Sequence, residues 1–198
     1  MELSDNIIIC EANAFPRQLM QPFYLDYVGV VVCHQGMFHF RADGASFVVS
    51  AGETVFLSKG VMFQVTDTTQ ELRYTLLFYR TEQIVDMLGN TVVTMRLYST
   101  IYPSACYVMH TGYEEMLSDY AKMLSRIEGK GDTDIYSSHE HKLLLMAVTY
   151  RLCSIFSNTL KSPTKEMDRK IEIFEELVHL IEEHYTRERS VAFYADKL

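Results

Sequence analysis

Tryptophan is absent from this chain of 198 residues, and its four cysteines stand far apart, at Cys10, Cys33, Cys106 and Cys153. No two form a Cys-x-x-Cys pair, which argues against a zinc site, and their scatter argues against a disulfide framework. The thiols are expected to be free, as in a reducing cytosol. Basic residues are in deficit, 18 against 26 acidic ones, for a net charge of -8. A surface that grips nucleic-acid phosphates is normally basic, so this stretch is a poor one for touching DNA, and an anionic ligand would need a local basic site. No apolar run nears the roughly 18 residues of a membrane helix. The start, MELSDNIII, lacks the basic and apolar regions of a signal peptide. No G-x-S-x-G nucleophile elbow occurs. These absences predict a cytoplasmic protein with no membrane partner.

What is present is 13 tyrosines and 11 phenylalanines, in a chain that is 48% apolar. Gly36, Gly44, Gly52 and Gly60 recur at intervals of eight, each after a turn-type or small residue, with short apolar-rich runs between them. Strands with turn signals every 8–12 residues mark an antiparallel sandwich or barrel. Read as a two-residue hairpin at Gln35-Gly36, the register pairs Cys33 with Phe38. Val31, Cys33, Phe38 and Phe40 then share the barrel interior, and His34 and His39 point outward. Tyr24, Phe63, Tyr74 and Phe78 join this interior set. Plain core filling and the lining of a pocket for a small apolar or sugar-like ligand both fit these aromatics. Arg41 and Arg73 are strand arginines that sit either at the surface or inward as a clamp for a carboxylate or hydroxyls.

Beyond a short helix expected at 81–89, ending on Gly89, and a last strand at 104–110, the period becomes helical. Met116, Leu117, Tyr120, Leu124 and Ile127 form one stripe, Gly129–Asp132 a loop, and a helix of about 134–158 follows. The stretch 143–156 is apolar nearly all round, whereas a helix on one core shows one stripe. His139, Leu143, Met146, Tyr150 and Cys153 step by four and three, as a helix–helix seam does, so the two readings are a deep core helix and a homodimer contact. A linker with Pro163 leads to a third helix at about 167–185. His139 with His141, and His179 with His184, have spacings that do not bring two ligands to one helix face, so no metal site is expected from them.

The run Gly52-Glu53-Thr54-Val55-Phe56-Leu57-Ser58-Lys59-Gly60-Val61-Met62-Phe63 resembles the second motif of the cupin superfamily: Gly, five residues, Pro-x-Gly, two residues, His, three residues, Asn. Both glycines are in register. Ser58 replaces Pro, Phe63 replaces the metal-binding His, and Asp67 stands for Asn. Counting back from Gly36 puts Gly29 where the first motif has its Glu, and Pro22–Leu25, over the His-x-His region, holds no histidine. The tail, Ser190-Val191-Ala192-Phe193-Tyr194-Ala195-Asp196-Lys197-Leu198, follows a barrel and helices in an order similar to AraC/XylS-type transcription regulators, where it matches the opening helix of a first helix-turn-helix. The resemblance implies an α+β fold: a cupin-like antiparallel β-barrel, or jelly roll, at 1–111, a helical dimerisation and linker region at 112–186, and at 187–198 the start of a DNA-binding domain that continues past Leu198. It implies a small-molecule effector in a barrel without metal or other cofactor and without catalytic residues, and DNA contact only through the part that follows. The rivals are a small cupin enzyme, such as an isomerase or dioxygenase, and a dimerisation module with no ligand.

Overall fold

The structure, a computed structural model, describes residues 6–84, 87, 106–128, 135–159 and 165–198. Gly89, the Gly129–Asp132 loop and Pro163 lie outside the described residues.

Among the described residues the strands are β1 (Ile7–Ala12), β2 (Phe23–Tyr24), β3 (Val28–Gln35), β4 (Met37–Ala42), β5 (Ala45–Ser50), β6 (Thr54–Leu57), β7 (Met62–Thr68), β8 (Arg73–Tyr79) and β9 (Cys106–Met109). They form two antiparallel sheets. The first has the order β1-β8-β3-β6-β9, the second β2-β7-β4-β5. The helices are α1 (Glu114–Glu128), α2 (Ile135–Thr159), α3 (Lys165–His184) and α4 (Val191–Ala195), and a 3-10 turn spans Thr81–Gln83 in place of the start of the expected helix at 81–89. No helix among the described residues is long and apolar enough to cross a membrane.

The glycine rhythm marks more corners than hairpins. Asp43-Gly44 is a true hairpin turn: Ala42 pairs with Ala45, and both turn residues have positive φ, 47° and 86°, as this tight turn requires. Gln35-Gly36 is not. β3 lies in the first sheet and β4 in the second, so the chain crosses between layers there. Gly36 has φ +73°, and a side chain would collide with Thr69. The expected pairing of Cys33 with Phe38 is therefore replaced by Cys33 with Tyr74 and Phe38 with Val49 and Thr68. The physical reason is the first layer's outer face: β3 is apolar on both sides, and it is satisfied only between β8 and β6 with a helix above it.

Sequence texture follows this layering. β3 and β8 are buried on both faces and read as continuous β-branched and aromatic runs. β4 alternates, with Phe38, Phe40 and Ala42 inward and Met37, His39 and Arg41 outward, because its sheet meets solvent on one side. One core lies between the sheets. A second joins the outer face of the first sheet to α1 and α2, through Val30, Val32, Phe56, Leu77 and Tyr79 on the strands and Leu117, Leu124, Leu145 and Val148 on the helices. The stripe on α1 sits one position round from the expected one: Leu117, Ser118, Ala121 and Leu124 are buried, while Met116 is exposed.

Candidate functional site

The space between the two sheets is walled by aromatics. Val31, Cys33, Phe38, Phe40, Phe63, Tyr74 and Phe78 are all buried in one cluster. Two are brought there by a premise that the structure overturns: Val31 and Cys33 do not pair with β4, yet they face Phe38 and Phe40 across the layer gap. Tyr24 is the correction. It is 65% exposed, because β2 is a two-residue edge strand whose alternation puts Phe23, not Tyr24, against Phe63.

Ring contacts fill the interior. Phe40 lies 5.3 Å from Phe63, 5.1 Å from Phe47 and 6.0 Å from Phe38 between centroids. Phe15 stacks on Tyr74 at 4.0 Å and meets Phe38 edge-on at 5.1 Å. Phe15 and Leu19, from the segment between β1 and β2, also belong to this cluster, although neither is among the expected interior residues. Phe15 precedes Pro16 in an irregular stretch, and nothing in its local pattern shows a side chain inserted between distant strands.

The residues at the metal positions of the cupin motif do not fit a metal. Phe63 offers a phenyl ring. At Gly29 any side chain would overlap the Leu77 carbonyl and the Phe78 backbone, so no carboxylate can stand there. Desolvation pushes the Cys33 thiol up to about 11 and the Cys106 thiol up to about 12, which disfavours a nucleophilic thiolate at neutral pH. Among the described residues no three His, Cys, Asp or Glu side chains cluster as a metal site. Arg41 and Arg73 are exposed, not clamps aimed into the interior.

His34 and His39 do lie outside the interior, on separate sheets. His34 sits beneath α1, its Nε2 2.7 Å from the Thr75 hydroxyl and 3.3 Å from that of Ser118. Burial, then the charge of Arg73, lowers its pKa below the usual 6.5.

On α2, the five seam positions are not equivalent. His139 is exposed, with Nδ1 2.7 Å from the Ile135 carbonyl. Leu143 and Tyr150 are 57% and 46% exposed. Cys153 is half-buried, and Met146 leans on the second core. The opposite face, with Leu145, Val148, Thr149, Leu152 and Ile155, is buried. The helix is thus apolar on two faces, one packed into the core between the first sheet and α1 and one outward.

No protein-family model and no curated protein sequence matches the chain. Among solved structures it is similar to apo ToxT K231A from Vibrio cholerae, at 10% identity and a TM-score of 0.45, over 100% of this chain and 72% of that one. It is similar to the AraC-like transcriptional activator CuxR at 14% identity and a TM-score of 0.42, over 97% of this chain and 66% of that one. A cupin 2 conserved barrel domain protein from Salinispora arenicola CNS-205 matches 41% of this chain and 82% of its own, at 17% identity and a TM-score of 0.28.

Proposed function

We propose that this chain is the signal-receiving and pairing portion of an AraC/XylS-type transcription regulator. The observation that carries the reading is Phe63. Where the barrel motif would hold a metal-binding histidine, a fully buried ring packs on Phe23 and Phe40. That chemistry suits an apolar compartment, not a metal-centred enzyme. The barrel takes a small effector, and the outward face of α2, with Leu143 and Tyr150 at its centre, pairs with the same face of a second copy in the cytoplasm. DNA is read by sequence following α4, whose segment Val191–Ala195 resembles the opening of a helix-turn-helix. An effector shifts such a protein only by its differential affinity for two arrangements.

A fusion of residues 1–198 to a monomeric DNA-binding domain that needs two copies to hold its operator tests this. Operator binding is expected, and its loss is expected in Leu143→Glu. Sedimentation of the unfused chain as a monomer at tens of micromolar would remove the pairing half of the proposal. A constitutive pairing module without any ligand is favoured by one observation, the rings that already occupy the interior.

A further inference from the structure

Phe15 is held differently from the two rings it touches. Phe38 and Tyr74 sit on β4 and β8, whose backbones are fixed by ladder pairing on both sides. Phe15 does not. It comes from residues 13–22, a strap with no strand of its own, in which only Phe15 and Leu19 are buried. The strap is tied at its carbonyls: Tyr74 donates its hydroxyl to Ala14 at 3.2 Å, the Val65 N–H donates to Leu19 at 2.8 Å, and the Gln64 amide donates to Met20 at 3.1 Å. The strap can therefore leave without breaking a sheet.

Withdrawing Phe15 would expose a slot of defined chemistry. One wall is the face of Tyr74, to which Phe15 now lies within 15° of parallel, and another is Phe38, which meets it edge-on. The Tyr74 hydroxyl, released from Ala14, would stand at one edge as a donor, itself accepting weakly from the Cys10 thiol at 3.9 Å. Burial keeps that phenol protonated far above neutral pH. Among the described residues the buried polar side chains are Thr54, Thr75, Ser118 and Thr149, none of them charged, and a buried ion without a partner is strongly disfavoured.

We infer that Phe15 is a built-in placeholder, and that the barrel's effector is an uncharged planar ring with one hydrogen-bond acceptor, which takes the place of Phe15 between Phe38 and Tyr74 while the strap swings out. This rests on reading the barrel as an effector compartment. It also explains how a filled interior can still receive a ligand.

Acetophenone and toluene, which share the ring but differ in the acceptor, are the probes, and the full chain is the protein. Phe15→Ala should bind acetophenone at least tenfold more tightly than the parent, and adding Tyr74→Phe should erase its preference over toluene. In the parent chain, saturating acetophenone should speed hydrogen exchange at the Val65 amide at least tenfold and leave the Leu76 amide unchanged. If Phe15→Ala does not fold, Phe15→Leu should show a smaller gain in the same direction. Equal affinity in parent and variant, or binding to the parent with Val65 still protected, overturns the placeholder. A different compound that stabilises the parent while Val65 stays protected also overturns it and leaves the effector reading standing. Failure of a broad screen against both parent and variant overturns both.

Discussion

The hydroxyl of Tyr79 lies 2.8 Å from that of Thr149, both buried, joining β8 to α2 across 70 residues of sequence. Thr149 gives its own proton to the Leu145 carbonyl at 2.8 Å, so Tyr79 must be the donor in this pair. The two partners are therefore unequal. Tyr79→Phe removes one hydrogen bond and leaves Thr149 satisfied by Leu145, at a cost of about 1 kcal/mol. Thr149→Val strands a buried phenol donor, at about 1–3 kcal/mol. Urea unfolding should rank Thr149→Val as the more damaging, and the opposite order would mean that the proton runs the other way.

The two faces of α2 should separate folding from pairing. Leu145 is buried in the core between the first sheet and the helices, and Leu143 points outward. Leu143→Glu is expected to weaken self-association at least tenfold with little change in melting temperature, as exposed substitutions usually cost within about 0.5 kcal/mol. Leu145→Glu buries a charge with no partner and should prevent folding. Sedimentation velocity beside thermal melts reads both.

Stability should fall on mild acidification. The pKa of His34 is lowered chiefly by burial, then by Arg73 and Lys122, with Glu11 opposing, and that of His141 is lowered by burial. A depressed folded-state value means that the unfolded chain takes up protons first. The stability these residues contribute is complete above 6.5 and is lost as pH drops from there through their folded values. His34→Asn should flatten part of the slope in denaturation midpoints between pH 7.5 and 5.5. Glu11→Gln should steepen it, since the favourable charge is gone.

Interior and exterior aromatics should differ sharply. Phe40→Ala empties the centre of the ring cluster, and large-to-small changes of that kind cost about 3–5 kcal/mol. Tyr24→Ala, on the surface, should cost within about 0.5 kcal/mol. Equal losses in chemical denaturation would contradict the outward placement of Tyr24.

Gly29 admits no Cβ against Leu77 and Phe78. Gly29→Ala is expected to destabilise by more than about 1 kcal/mol, the range in which overpacking a tight core falls. A neutral result would show that β3 and β8 can part at that point.

Quantities that depend only on neighbours along the chain are legible in the amino-acid order. A positive-φ requirement at Gly36, Gly44, Gly52 and Gly60 is local, and so is the helical period that places α1, α2 and α3 close to where they stand. The aromatic interior was legible for the same reason, since Phe38 and Phe40 alternate within one strand. The tertiary structure decided what a turn connects. The Gly36 corner and the Gly44 hairpin look alike in sequence, and only the pairing of β3 with β8, some 40 residues on, distinguishes them. It also decided that Phe15 enters the interior and that Tyr24 stays out. Those outcomes depend on which distant surfaces offer burial, and no local pattern carries that energy.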